Sequence, residues 1–257
     1  MPDPIYPIGS DPIIGDVEYL EHLEGDGILP RDAVVWLPPS YRDHPDRRYP
    51  VLFVHDGHNA IDPATSYSGT DWAIDEVATR LVAAGRIREF ILVAPYGTDE
   101  RFEEYGYTDG GRAYLRFLTA TLKPMIDDRF RSLPGREDTF VMGSSMGGLN
   151  ALLAVWWHPD VFSGAACLSP YFPDELVADI EESSGWPPAP LRIYLDNGED
   201  PLDDTFQPNI DELIGILGRL GFAMGTDLDF VRDPGAPHHE SAWSRRVWRP
   251  LEFLLGA

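Results

Sequence analysis

The chain has 257 residues and carries 43 Asp and Glu against 20 Lys and Arg, a formal charge of −23. A hydrophobic content of 43% with 12% aromatic residues provides for one large domain and excludes wholesale disorder. The only cysteine, Cys167, excludes a disulfide framework and a thiolate metal site.

An acidic surface of this kind repels phosphate backbones and anionic lipids, so no nucleic-acid or membrane partner is expected. The opening MPDPIYPIGSDPIIGD has neither a basic region nor an apolar run of signal length, and no stretch approaches the ~20 apolar residues of a membrane span. A cytoplasmic protein is expected, with the acid excess serving solubility or life in salt. Oligomeric state has no signature in the sequence.

A single domain over 1–257 is expected, with 1–16 as an N-terminal extension. Alternation of apolar and polar residues predicts antiparallel strands over 17–23 and 33–37, the second stopped by Pro38-Pro39. The pattern then changes. Val51-Leu52-Phe53-Val54 is a short apolar run after Pro50, as in a strand buried on both faces. Helices are predicted over 72–84, 111–126 (with Pro124 bending or ending it), 149–157, 210–220 and 241–255. Strands are predicted over 90–94, 139–142, 164–168, 191–195 and 228–231, and the Pro-rich patch 186–190 reads as a surface loop. Strand–helix alternation implies right-handed crossovers and a mostly parallel sheet with helices on both faces and an antiparallel N-terminal edge. Ligands bind such sheets at the carboxyl ends of the strands.

At one of those ends the chain reads Gly143-Ser144-Ser145-Met146-Gly147, matching G-x-S-x-G with Ser145 at the centre. A chain that turns from strand to helix within a few residues holds its serine in a strained conformation and leaves no room for flanking side chains. The turn lifts the Ser145 hydroxyl above the sheet, and the amide of Met146, opening the helix, points at the same space. Ser144 fails the pattern. The alternative is an ordinary tight turn.

A serine hydroxyl needs a base, and in the order Ser…acid…His that base belongs to a late loop. His238 and His239 both lie in such a loop, after the strand over 228–231. The acid belongs after the strand over 191–195, where Asp196, Glu199, Asp200, Asp203 and Asp204 offer five carboxylates. A second oxyanion-binding amide can come from the Gly-kinked loop His55-Asp56-Gly57-His58-Asn59. The same loop could be read as a metal site of His55, Asp56 and His58, but alternating side chains point to opposite faces. No metal or cofactor is expected.

With these pieces in place the chain resembles the esterase D family of α/β-hydrolases, which includes S-formylglutathione hydrolases, feruloyl and acetylxylan esterases, siderophore esterases and the antigen 85 mycolyltransferases. Gly143-Ser144-Ser145-Met146-Gly147-Gly148, His55-Asp56-Gly57-His58-Asn59 and Gly235-Ala236-Pro237-His238 with Trp243 carry the resemblance, which spans roughly 34–255. It implies an α/β-hydrolase fold and hydrolysis of a small-molecule acyl ester through an acyl-enzyme on Ser145. It places the base at His238 and the second amide at His58. For the acid it implies Asp203, with Asp200 as the alternative. Two other functions fit the same motifs: acyl transfer to an alcohol, and a hydrolase fold kept only for binding.

The segment 169–191 is too short for a large cap domain. Trp72, Tyr105, Tyr107 and Trp186 could line a pocket, though ordinary packing is the favoured reading of each. Arg101 and Glu104 lie at the functional edge without an assignable role.

Overall fold

The structure, a computed structural model, describes residues 13–183, 186–187 and 189–256. Residues 1–12 of the expected N-terminal extension, and part of the 186–190 loop, lie outside the described residues. Eight strands form one sheet in the order β1-β2-β4-β3-β5-β6-β7-β8. They are β1 (Asp16–Leu23), β2 (Arg31–Leu37), β3 (Val51–Val54), β4 (Ile91–Pro95), β5 (Thr139–Ser144), β6 (Gly164–Leu168), β7 (Arg192–Asn197) and β8 (Leu228–Arg232). β1 pairs β2 and β2 pairs β4 antiparallel, while every pairing from β4 through β3 to β8 is parallel. The antiparallel edge and the parallel centre thus fall where alternation gives way to continuous apolar runs.

β3 shows why its residues are apolar on both sides. Val51 and Phe53 enter one core and Leu52 and Val54 the other, all at most 1% exposed. Each such side chain contributes about 1.5–3 kcal/mol on burial. One face of the sheet is covered by α3 (Asp109–Phe117), α5 (Met146–Trp157), α6 (Asp174–Glu182) and α7 (Pro201–Arg219). The other carries α1 (Ile74–Ala83), α8 (Glu240–Arg246) and α9 (Trp248–Leu255).

Several boundaries differ from the sequence reading, for identifiable reasons. α5 starts at Met146, directly after the serine, because two glycines make its first turn. α6 fills the segment expected to be a short Pro-rich excursion, where Leu176, Val177 and Ile180 supply the apolar stripe. The helix expected from residue 210 begins at Pro201, a residue suited to a first turn, with Asp200 as its cap. Pro124 does not end its helix. α3 passes through a wider π-type stretch, Leu118–Leu122, into α4 (Lys123–Arg129), which avoids the clash a proline makes in a regular helix. A short helix that the sequence reading lacked, α2 (Arg101–Tyr105), follows β4.

Under the carboxyl ends of the strands lies a buried ionic cluster. Arg246 of α8 reaches Asp196 at the end of β7 at 2.8 Å and the Ser169 hydroxyl at 2.8 Å. Arg246 and Asp196 are 3% and 0% exposed, so removing one charge strands the other in an apolar interior. Arg246→Met is expected to cost about 3–5 kcal/mol in urea unfolding, against about 1 kcal/mol for a surface arginine such as Arg219.

Candidate active site

Ser145 sits between β5 and α5 with φ 54° and ψ −119°, a conformation that L-residues rarely adopt. Its amide donates to the Leu168 carbonyl at 2.8 Å, and its own carbonyl accepts from Leu149 at 3.1 Å. The sharp corner brings the chain back on itself. A Cβ at Gly143 would lie 2.4 Å from the Gly147 carbonyl oxygen, so no other residue fits there. Ser145 is half-exposed, whereas Ser144 is buried in the last position of β5. Met146 opens α5, and amides of a first helical turn have no partner within the helix.

His238 and Asp203 are brought together. The ring Nδ1 of His238 is 2.7 Å from Asp203 Oδ1, with the aspartate fully buried. Aromatic edges hold the imidazole: Trp243 at 5.1 Å and 83°, Phe206 at 5.7 Å and 76°. Trp243 is itself tied to the Ser169 hydroxyl at 3.3 Å. Asn197 donates to the Asp203 carbonyl at 2.9 Å, pinning the first turn of α7 to the end of β7.

The alternative acid, Asp200, occupies a different place. One oxygen caps α7 by accepting from the amides of Leu202 and Asp203 at 2.8 and 2.9 Å, and the other accepts from the His238 amide at 2.6 Å. Burial would raise this carboxyl, but the three backbone donors outweigh it and hold it below the usual carboxylate range. Asp200 therefore joins the histidine loop to α7 through backbone, not through the ring. His239 caps α8, its Nδ1 accepting from the Ser241 amide at 3.1 Å.

The loop after β3 turns through Asp56 in a left-handed conformation (φ 57°) into a 3₁₀ turn, Gly57–Asn59, which leaves the His58 amide in its unpaired first turn. A Cβ at Gly57 would lie 1.9 Å from the Ala94 carbonyl, which fixes a glycine against β4. Asp56 is gripped by Arg101 through two hydrogen bonds, at 2.8 and 2.6 Å. Burial pushes the Asp56 carboxyl up, but Arg101 and neighbouring His58 carry it below its ordinary value. α2, which presents Arg101, is anchored in turn by Glu104. That carboxylate accepts from Arg31 at 2.6 Å, Thr98 at 2.6 Å and the Leu29 amide at 2.9 Å.

Arg101 and Glu104 thus have structural assignments that spacing could not reveal. His55 does not join Asp56 and His58 around a common point. It faces inward to Tyr114 at 3.0 Å, and burial lowers its pKa to about 3.

Ser145, His238, His58, Tyr67, Phe102 and Glu240 line one cavity of about 510 Å³. Tyr67 and Phe102 are 90% and 73% exposed. The four aromatic candidates, for each of which ordinary packing is the favoured reading, are not among its lining residues. Trp72 is buried against Trp243, Tyr105 against His55, and Trp186 against Phe222, while Tyr107 stacks on Trp157. Among the described residues no helix is long and apolar enough to cross a membrane.

An open, mostly parallel sheet with a serine on a strained corner is the architecture of α/β-hydrolases. The sequence model of the family described as "Putative esterase" matches residues 30–213, and the chain belongs to that family. It is an ester-hydrolysing enzyme. It is 22% identical to the uncharacterized protein YbbA of Bacillus subtilis (strain 168), covering 92% of this chain and 95% of that one. It is 29% identical to an endo-1,4-beta-xylanase/feruloyl esterase of Xylanibacter ruminicola over 87% of this chain, a region spanning 29% of that longer protein. A solved ferulic acid esterase superposes with a TM-score of 0.77 at 23% identity, covering 94% of this chain and 98% of that one.

Arg101→Met tests the grip on the loop. In the intact protein the lowered Asp56 carboxyl contributes stability above about pH 4, lost as pH falls further. Without Arg101, burial raises that carboxyl, so the variant's deficit appears above about pH 4 and shrinks on acidification. Urea unfolding is expected to show a loss of about 3 kcal/mol at pH 7 and a smaller one at pH 4.5.

Proposed function

We propose that the chain hydrolyses a carboxylic ester through a Ser145–His238–Asp203 triad and an acyl-enzyme. The observation that carries this reading is the 2.7 Å contact between His238 and buried Asp203, with the same histidine lining the cavity of Ser145. In this reading Asp203 accepts the Nδ1 hydrogen of His238, fixes its tautomer and stabilises the imidazolium that forms. The free Nε2 takes the proton of Ser145 as its oxygen attacks the ester carbonyl. The tetrahedral oxyanion is held by the amides of Met146 and His58, each worth about 3 kcal/mol. Collapse expels the alcohol, which takes the proton from His238. Water, deprotonated by the same ring, then attacks the acyl-enzyme, releases the acid and regenerates the serine.

Ser145→Ala and His238→Ala are each expected to lower kcat by about 10⁴–10⁶ with unchanged circular dichroism, and Asp203→Asn by about 10⁴. His239→Ala should keep most of its activity and lose about 1 kcal/mol of stability as a helix cap. An inactive His239→Ala beside an active His238→Ala overturns the assignment of the base.

The substrate we infer is an ester with an aromatic acyl group. Tyr67 and Phe102 expose large apolar faces at the cavity, and rings of a ligand gain by stacking there. The feruloyl and ferulic acid esterases among the similar proteins act, by name, on such a ligand. Tyr67→Ala and Phe102→Ala should each raise KM for a feruloyl ester about tenfold and leave p-nitrophenyl acetate hydrolysis unchanged. Equal effects on both substrates would remove the aromatic assignment and leave the triad standing.

A further inference from the structure

Most of the buried carboxylates among the described residues face a basic side chain. Asp56 meets Arg101, Glu89 meets Arg47, Glu104 meets Arg31, Asp196 meets Arg246, and Asp203 meets His238. The exception lies at the start of α1. Asp71, Asp75 and Glu76 are 9%, 0% and 7% exposed, and no Arg, Lys or His among the described residues forms an ion pair with them. One carboxylate oxygen from each lies within 4.8 Å of one from each of the others.

The local hydrogen bonds do not neutralise this cluster. Asp71 accepts from the Ala73 amide at 3.0 Å and Asp75 from the Ile14 amide at 2.8 Å. Among the described residues no donor reaches the buried Asp75 Oδ1 and Glu76 Oε2, and the two carboxyls lie against each other. Acceptor-only oxygens packed together out of water are costly unless something positive sits among them. Burial, then the adjacent Asp75 charge, raises the Glu76 carboxyl to about 8, so a shared proton is the competitor to a metal ion.

We propose that Asp71, Asp75 and Glu76 bind one hard divalent cation of the calcium class. The donors are all oxygen, with no imidazole or thiolate, which suits calcium or magnesium and not zinc or copper. Ca²⁺ accepts an irregular set of oxygen ligands, whereas Mg²⁺ demands a near-ideal octahedral one. Water completes the coordination.

The site joins two parts of the fold. Through Asp75 it holds the segment entering β1, and through Asp71 it adjoins Trp72, which packs on Trp243 at 5.9 Å, the ring that abuts His238. A bound cation therefore stabilises the chain and steadies the wall behind the imidazole. The site is separate from the 510 Å³ cavity and does not depend on the reaction assigned to it.

The test uses the full chain, stripped with EDTA and desalted, and needs no substrate. Calorimetric titration with CaCl₂ at pH 7.5 is expected to give one site per chain. A hundredfold excess over Kd should raise Tm by about 5–10 °C. MgCl₂ should bind at least about tenfold more weakly. Both the heat and the Tm shift should vanish in Glu76→Gln, which removes a repelling charge, and weaken in Asp71→Asn at the rim. NaCl at matched ionic strength controls for screening of the acidic surface. Absence of calcium heat and Tm shift overturns the proposal and leaves the shared proton as the explanation. A shift of the same size in both variants or in NaCl also overturns it, as diffuse screening.

Discussion

Ser145 is held at φ 54° and ψ −119°, where an L-residue costs about 1–3 kcal/mol, and the surroundings leave it no alternative. Its amide is spent on β6, its carbonyl on the first turn of α5, and Gly143, with no side chain, lets the two limbs of the corner touch. Relaxing the serine would break the Leu168 bond and pull α5 out of the buried layer between β5 and β6. The strain is therefore covered by the burial of α5, whose residues from Gly147 to Val155 are all buried. One hydroxyl is left standing over the carboxyl ends of the strands, half-exposed at the cavity.

The histidine is built on the opposite principle. Its loop carries no comparable backbone strain at residue 238 and is located by contacts from elements far apart in the chain. Asp200 takes its amide, Asp203 its ring nitrogen, and Phe206 and Trp243 its two sides. Three of these four residues stand on or cap the first turns of α7. A run of acids that looks like solvated charge is thus a helix start doing two tasks with two neighbouring aspartates. The loop after β3 follows the same logic, with Arg101 supplied by α2 and α2 supplied by the Glu104–Arg31 pair.

Much of this was legible in the sequence because it rests on local patterns. Continuous apolar runs gave the parallel strands, alternation gave the antiparallel edge, and the G-x-S-x-G pentapeptide gave the corner. What stayed hidden depends on contacts between distant segments. Spacing alone could not separate Asp200 from Asp203, because both sit at the same helix start and differ only in which atom of His238 they meet. Arg101 and Glu104 could be placed at the functional edge but not given tasks until α2 folded against the loop after β3. The pocket aromatics were only partly legible, for a related reason. Trp72, Tyr105 and Trp186 are large and apolar and so are drawn into the core, while Tyr107 packs on Trp156 and Trp157 of α5. The ring faces at the cavity belong to Tyr67, in a polar loop, and Phe102, among the charged residues of the short α2, and neither carries a periodic signal. α6 was missed because its flanking prolines outweighed its short apolar stripe.

The account depends on a single oxygen acting as the nucleophile. Reaction of the intact chain with a fluorophosphonate, followed by mass spectrometry of the digested protein, locates that atom directly. The account predicts one phosphonyl group per chain, on the peptide bearing Ser145 and at that residue, with labelling abolished by prior heat denaturation. An unlabelled native chain, or a label on Ser144 or elsewhere, would contradict it.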